Sequence, residues 1–422
     1  MEKGNVRLRL TVALFLEFGV WGLYLSSIGR YMDNVGLGSQ IKWYFVMQGL
    51  VTIFMPTLMG IIADRYIQAQ KLLALDHLLT GIFLMCAGLY CHSAGSDVHF
   101  APFFVFTSLA QAFFMPTLSL SSAVSFNALT SNGLDTVRYF PSIRCFGTVG
   151  FVCGMLLSNW VRIGGVSMQD SYTQLIAGAL GSFVYAAYAL TLPQCPVSGK
   201  THEKTLAERL GLKAFSLFRD RQFAVFLIFA MLLGAALKIT EAYASPFLNS
   251  FRGNPVFADT FAVRNSNALL AVSQTSEALC ILLIPFFMKR FGIKIVMLTA
   301  MLAWMLRFAL FAVGNPGTPG IIWLILSCII YGVAFNFFDV AGSLFMDRSV
   351  SSEIRASAQG LYMLMASGLG SVVGTLCAGA VVDKLIYNTD TPSWPAAWAI
   401  FAGYSLVLAI AFVILYKPER KL

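Results

Sequence analysis

The sequence predicts an all-α membrane protein with twelve transmembrane helices in two pseudo-symmetric six-helix halves. Three observations carry this. Hydrophobic residues make up 58% of the chain and charged residues only 12%, whereas a soluble domain is nearer 45–50% apolar and about 25% charged. So few polar groups cannot cover a water-facing surface, and lipid is the better solvent. The apolar residues also fall into about twelve runs, each near the roughly 20 residues that one span requires. Finally, a single long polar connection, Pro193–Gln222, divides six runs from six.

In order, the runs are Leu8–Met32, Ile41–Ile62, Leu72–Cys91, Ala101–Phe126, Ile143–Val161, Leu175–Leu192, Phe223–Leu248, Ala268–Phe287, Ile295–Val313, Ile321–Phe345, Ser357–Val382 and Ala396–Tyr416. Hydrocarbon offers no partner for backbone polar groups, so only helices or closed barrels span it. These runs are too long and too continuously apolar for the alternating strands of a barrel. Residues 1–192 therefore form an N-terminal six-helix bundle, 193–222 a cytoplasmic linker and 223–422 a C-terminal six-helix bundle. Within the linker, Leu206–Phe218 has the pattern of an amphipathic helix lying on the inner surface. The first run is too long for a signal-peptide core and no A-x-A-like site follows it, so no cleavable signal is expected.

The net charge of +9 does not point to nucleic acid, because its distribution follows topology. With the N-terminus inside, inner loops carry roughly 20 Lys and Arg and outer loops roughly 6, the positive-inside bias. Both termini are thus expected in the cytoplasm. Cysteines such as Cys86, Cys153, Cys280 and Cys328 lie within runs and none forms a C-x-x-C, so they read as small buried residues. No phosphate-binding G-x-x-x-x-G-K-[ST] occurs, and the four histidines are scattered. No cofactor, metal or enzymatic centre is expected.

The halves echo each other. SIRCFGTVGFVCG from Ser142 resembles EIRASAQGLYMLMASG from Glu353, and FMPTLMGIIADRY around Pro56 resembles LIPFFMKRFGIK around Pro285. Such duplication is typical of transporters built from repeats. GIIADRYIQAQK, Gly60–Lys71, further resembles the inner-loop motif of the major facilitator superfamily, without its usual second Gly-Arg. FMPTLMGIIADRY, FPSIRCFGTVGF, LGLKAFSLF, AMLLGAALKIT, IPFFMKRFGIK, RFALFAVGNP, RASAQGLYM and WAIFAGYS run in order across the chain. Together they resemble the nucleoside:proton symporter family of that superfamily. The resemblance implies a monomeric, proton-driven nucleoside permease of the bacterial inner membrane. It implies a central cavity between the halves and alternating access by their rocking, with the glycine-rich fifth and eleventh spans allowing close helix approach. The alternative cargo is a sugar or another polar, nucleoside-like solute.

An ionisable group inside a span costs at least about 2.5 kcal/mol and is a functional hypothesis by default. The ionisable residues singled out as lying inside spans are Glu17, Arg144, Lys238, Glu241, Glu277, Arg307 and Asp339, with Asp76 read as interfacial. In AFNFFDVAGS, Tyr331, Phe335 and Asp339 share one helix face at i, i+4 and i+8, with Asn336 beside it. Aromatic rings can stack on a base, and the oxygens of the acid and amide can accept from sugar hydroxyls. The bland alternative for the rings is helix packing. The resembling family commonly has FDFFN where this chain has FNFFD, so the carboxylate has moved about 4.5 Å along the axis.

In SQTSEALC, Gln274 and Glu277 match the family register, and the acid can accept from ribose hydroxyls or titrate. In GAALKITEAY, Lys238 and Glu241 stand where the family usually has amides; their bland reading is a self-neutralising ion pair. Arg144, Thr148 and Phe151 share a face of the fifth span and match the family pattern, in which the arginine reaches the cavity. All eleven are candidate substrate contacts: Arg144, Thr148, Phe151, Lys238, Glu241, Gln274, Glu277, Tyr331, Phe335, Asn336 and Asp339. Buried acids outnumber buried bases by one, leaving one carboxylate to carry the proton. Asp339 or Glu277 is the first candidate, with Glu17, deep in the first span, as a third. Asp64 and Arg65 of the inner-loop motif are expected to latch neighbouring helix ends as gating residues, and Arg307 to support the bundle.

Overall fold

The computed structural model describes residues 3–195, 212–350 and 355–416. Most of the linker, including the start of the expected Leu206–Phe218 helix, lies outside them, as does the side chain of Arg355. The chain forms two compact units, Met1–Glu203 and Lys204–Leu422.

The N-terminal unit contains α1 (Lys3–Tyr24), α2 (Ile28–Asn34), α3 (Ile41–Arg65), α4 (Ala69–Ala94), α5 (Phe100–Ser131), α6 (Thr136–Trp160) and α7 (Thr173–Ala189). The first expected span is therefore α1 continued by α2 after a turn. Between α6 and α7 a two-stranded hairpin pairs Arg162–Ile163 with Val166–Ser167. Gly164 and Gly165 turn it at φ +61° and +83°, the left-handed geometry that a two-residue hairpin turn demands.

The C-terminal unit begins with a short 3-10 helix, Leu212–Arg219. It continues with α8 (Arg221–Ser250), α9 (Phe261–Arg264), α10 (Ser266–Cys280), α11 (Ile284–Val313), α12 (Gly320–Ser349), α13 (Arg355–Met363), α14 (Gly370–Val382) and α15 (Trp394–Leu415). Asp220 starts α8 by accepting from the backbone N–H groups of Gln222 (2.7 Å) and Phe223 (3.1 Å), satisfying two donors that a helix start leaves orphaned. α10 runs through a 3-10 turn, Ile281–Leu283, into α11, and the real break is at Gly292, φ +70°. The eighth and ninth spans thus meet at one glycine rather than across a polar loop. A π-helical turn, Leu364–Leu369, joins α13 to α14.

Ten described helical segments are long and apolar enough to cross a membrane. The remaining two spans are α7, at 17 residues about 26 Å long, and the α10 segment that continues to Gly292. The outer faces of the helices are apolar: Val407 and Ile414 on α15 are 63% and 64% exposed, a surface that suits lipid and not water.

The two units use the same internal packing. In the first, α1 packs on α6 and α7, α4 on α5 and α7, and α3 on α5. In the second, α8 packs on α14 and α15, α11 on α12 and α15, and α10 on α12. Reading spans in order, each partnership of the first unit recurs in the second. Both are seamed by glycine. A Cβ at Gly150 of α6 would collide with the Phe15 carbonyl of α1, and one at Gly22 with the Phe151 carbonyl. A Cβ at Gly234 of α8 would collide with the Ala366 carbonyl, and one at Gly370 with the Met231 carbonyl.

Gly150→Val and Gly234→Val should therefore each lower stability, by about 1–3 kcal/mol or more, seen as a reduced melting midpoint in detergent. Gly403→Ala, where a Cβ meets open space, should match or exceed the unsubstituted protein. Equal midpoints for all three would show that the seams are not close-packed.

Candidate functional site

In the C-terminal unit, α10 and α12 are drawn together at Gly332, where a Cβ would strike the Ser276 carbonyl. Ser276 Oγ donates to the Ile329 carbonyl at 2.5 Å. One turn further along α12, Asn336 Nδ2 donates to the Glu277 carbonyl, also at 2.5 Å. Asn336 is buried and spent on fixing one helix to the other. The Glu277 side chain, on the same turn of α10, is half-buried.

Tyr331 is the centre of the cluster. Its phenol lies beside Gln274 and within electrostatic reach of Glu277 and Glu241. Its ring stacks on Phe335, with centroids 5.8 Å apart and planes 3° off parallel. Trp304 meets it edge-on at 5.8 Å. The Arg307 guanidinium lies 4.7 Å from the Tyr331 ring centroid and 5.0 Å from that of Phe311. Arg307 is 1% exposed. Its Nη1 donates to the Ser327 carbonyl at 2.7 Å and to the Ser273 hydroxyl at 3.4 Å. Arg307 therefore fixes the aromatic wall from behind. A cation over a desolvated ring contributes about 2 kcal/mol.

Lys238 and Glu241 sit one turn apart on α8, with Lys238 Nζ donating to Glu241 Oε2 at 2.5 Å. Their side chains are 10% and 22% exposed, enough for one edge of the pair to meet a solute. Asp339, half-buried, lies one turn beyond Asn336. There its carboxylate reaches the electrostatic surroundings of Tyr362, whose hydroxyl donates to the Phe338 carbonyl at 3.1 Å. Tyr362 is not among the residues expected from the sequence. The unit thus gathers Lys238, Glu241, Gln274, Glu277 and Tyr331, with Phe335 stacked alongside. Asp339 is set one turn away, and Asn336 points into the α10 backbone.

In the N-terminal unit, Arg144 lies 4.2 Å from the Phe18 ring centroid and is half-buried, as is Thr148. Phe151 meets Trp21 edge-on at 5.7 Å. Glu17 is fully buried beside Thr117 and Ser121 of α5, within reach of the Arg144 charge. Neither Glu17 oxygen completes a hydrogen bond of good geometry. Asp64 and Arg65 end α3, exposed and without an ion pair among the described residues.

Two features differ from the sequence reading. Asp76, expected at the interface, is fully buried, as is His77 next to it. Arg30 is also fully buried and pairs with Asp170 at 2.6 Å, tying α2 to the turn before α7. An arginine inside an apolar run needs a partner, so Arg30 was findable in principle. Its partner, 140 residues away, was not.

Chemically, the C-terminal cluster offers an aromatic wall, hydrogen-bond donors and acceptors in one place, and carboxylates that can take up a proton. The chain matches the nucleoside H+ symporter family over residues 4–421. It is 44% identical to the xanthosine permease of Escherichia coli K12, over 99% of this chain and 98% of that protein. It is 40% identical to the nucleoside permease NupG of Escherichia coli K12, over 99% and 97%. The crystal structure of the nucleoside transporter NupG superposes with a TM-score of 0.87 at 39% identity, covering 98% of this chain and 100% of that one. The chain therefore belongs to the nucleoside H+ symporter family and has the twelve-helix fold of the major facilitator superfamily.

Proposed function

We propose that this protein imports nucleosides across the bacterial inner membrane together with protons, by alternating access, as a monomer with both termini in the cytoplasm. The observation that carries the reading is the cluster around Tyr331. A nucleoside has a flat base and a polar sugar, and Tyr331 and Phe335 supply a rigid aromatic surface for the first. Gln274 and Glu277 supply oxygens that accept from ribose hydroxyls. Arg144, Thr148 and Phe151 are proposed as cargo contacts of the N-terminal unit. Asn336 acts on the cargo indirectly, by holding Glu277 in register. Asp64 and Arg65 keep their proposed gating role.

Proton coupling is assigned to Glu277 or Asp339. Removing a proton from either creates a charge in a poorly solvated place, so occupancy by a proton and occupancy by cargo are energetically linked. For one proton per nucleoside, each unit of pH difference supports about tenfold accumulation at zero membrane potential. Labelled-nucleoside uptake into vesicles containing the pure protein should therefore rise with external acidity and collapse with a protonophore. Glu277→Gln should weaken uptake on the order of tenfold or more, the worth of a hydrogen bond to a charged group. If Glu277→Gln and Asp339→Asn both keep gradient-driven accumulation, the coupling assignment is wrong.

The Lys238–Glu241 pair favours a base that presents both donors and acceptors along one edge, as an oxo-purine does. Xanthosine, the cargo named for one relative, has that edge, and uridine presents a shorter one. Uptake competition should rank xanthosine above uridine. Replacing both charged side chains by amides, Lys238→Gln together with Glu241→Asn, should erase the ranking while leaving uridine uptake measurable. Uridine ahead of xanthosine in the unsubstituted protein would remove the pair from base selection.

A further inference from the structure

A second group of buried polar side chains lies within the N-terminal unit, bordering the proposed cargo contacts where the Arg144 charge reaches Glu17. His77 on α4 is fully buried, and neither ring nitrogen has a hydrogen-bond partner among the described residues. Its ring lies 4.0 Å from that of Tyr185 on α7 and 5.7 Å from that of Phe114 on α5. The Tyr185 hydroxyl is also buried and unpartnered among the described residues, and lies within electrostatic reach of Glu17 on α1. One turn along each helix, the hydroxyls of Thr80 on α4 and Ser182 on α7 are likewise buried and unpartnered.

The helices fix these groups at one depth. A Cβ at Gly81 would meet Phe183 and the Ala179 carbonyl, so α4 and α7 run in close contact just beside His77. Gly181 faces Val20 and Gly178 faces Tyr24, which carries α7 past α1 and places Tyr185 level with Glu17. Each unpartnered buried polar group costs about 1–3 kcal/mol. In a bundle surrounded by lipid, Leu or Phe at the same positions would carry no such cost, so packing alone gives no reason for them.

We infer that His77, Tyr185 and Glu17 form a proton-carrying chain buried inside the N-terminal unit. A proton arriving at one His77 ring nitrogen is matched by release from the other to the Tyr185 oxygen, directly or through one water. Tyr185 passes its own hydroxyl proton to the Glu17 carboxylate. Imidazole and phenol end neutral, and Glu17 changes from carboxylate to carboxylic acid. Among the described residues, the titratable or charged groups on the surrounding elements are Asp76 beside His77 on α4, Tyr24 on α1, which packs on Phe114, Tyr188 on α7 and Arg144 on α6, whose charge reaches Glu17; α5 contributes the hydroxyls of Thr117 and Ser121 to it. The inference rests on the proton-driven reading above and adds a route separate from Glu277 and Asp339.

The test uses the full chain in vesicles, with labelled uridine, and two variants that keep shape while removing proton exchange: His77→Gln and Tyr185→Phe. Exchange of labelled for unlabelled uridine at equal pH on both sides should stay within about twofold of the unsubstituted protein. Gradient-driven accumulation should fall at least about fivefold, and its pH profile should shift. Full accumulation with an unshifted profile in either variant overturns the chain. Infrared difference spectra between acidic and neutral pH, taken without cargo, read the site independently. A protonated-carboxyl band that vanishes in Glu17→Gln and moves in Tyr185→Phe is expected, and a band indifferent to both substitutions overturns the inference even if His77→Gln does not fold. If the unsubstituted protein shows no gradient-driven uptake, the proposed function fails, and the infrared band still decides this site.

Discussion

The contact on which each unit depends is backbone against backbone, between its first and fifth spans. Apolar side chains gain nothing by leaving lipid for a neighbouring helix, so association within a membrane rests on close van der Waals packing and interhelical hydrogen bonds. At Gly22 and Gly150, and again at Gly234 and Gly370, the missing side chain lets one helix lie on the carbonyls of the other. This closeness places Phe151 against Trp21 and Glu17 beside α5 in the first unit. In the second it brings α8, with Lys238 and Glu241, against α14. A larger residue at any of these glycines would separate the helices that carry the charged groups.

A second layer of order comes from buried polar groups that hold helices by specific bonds. Arg307 joins α11 to the Ser327 carbonyl on α12 while lying over Tyr331, so one side chain sets both a helix contact and an aromatic wall. Asn336 likewise joins α12 to α10, through the Glu277 carbonyl. In low dielectric such bonds are strong when complete and costly when broken. The wall is therefore stiff before any cargo arrives, and little ordering remains to be done on binding.

The spans and their division into two groups of six were legible because lipid imposes one simple pattern, long apolar runs, on everything that crosses it. Glu17, Arg144, Lys238, Glu241, Glu277 and Asp339 stood out because charge inside such a run is conspicuous. What the sequence could not supply was direction and distance across the fold. Asn336 lies near the same face as Tyr331 and Asp339 when drawn on a helical wheel, yet its amide is turned to the Glu277 carbonyl 59 residues away. Asp76 looked interfacial because it falls near the start of a run, and only the packing of α4 within the bundle, on α5 and α7, shows it buried together with His77. Arg30 needed Asp170, which no local pattern announces. The break at Gly292 was hidden because the residues flanking it are basic and looked like a loop.

The Lys238–Glu241 pair also constrains how this chain can have diverged. The pair is electrically neutral as it stands, and replacing either member alone by an uncharged residue leaves a lone, largely buried charge. Stranding one member of such a pair costs about 3–5 kcal/mol, a large share of the marginal stability of most proteins. The two positions are thus expected to change together or through an intermediate sheltered by a third substitution. A cargo preference resting on the pair would therefore persist through long stretches of drift elsewhere in the chain.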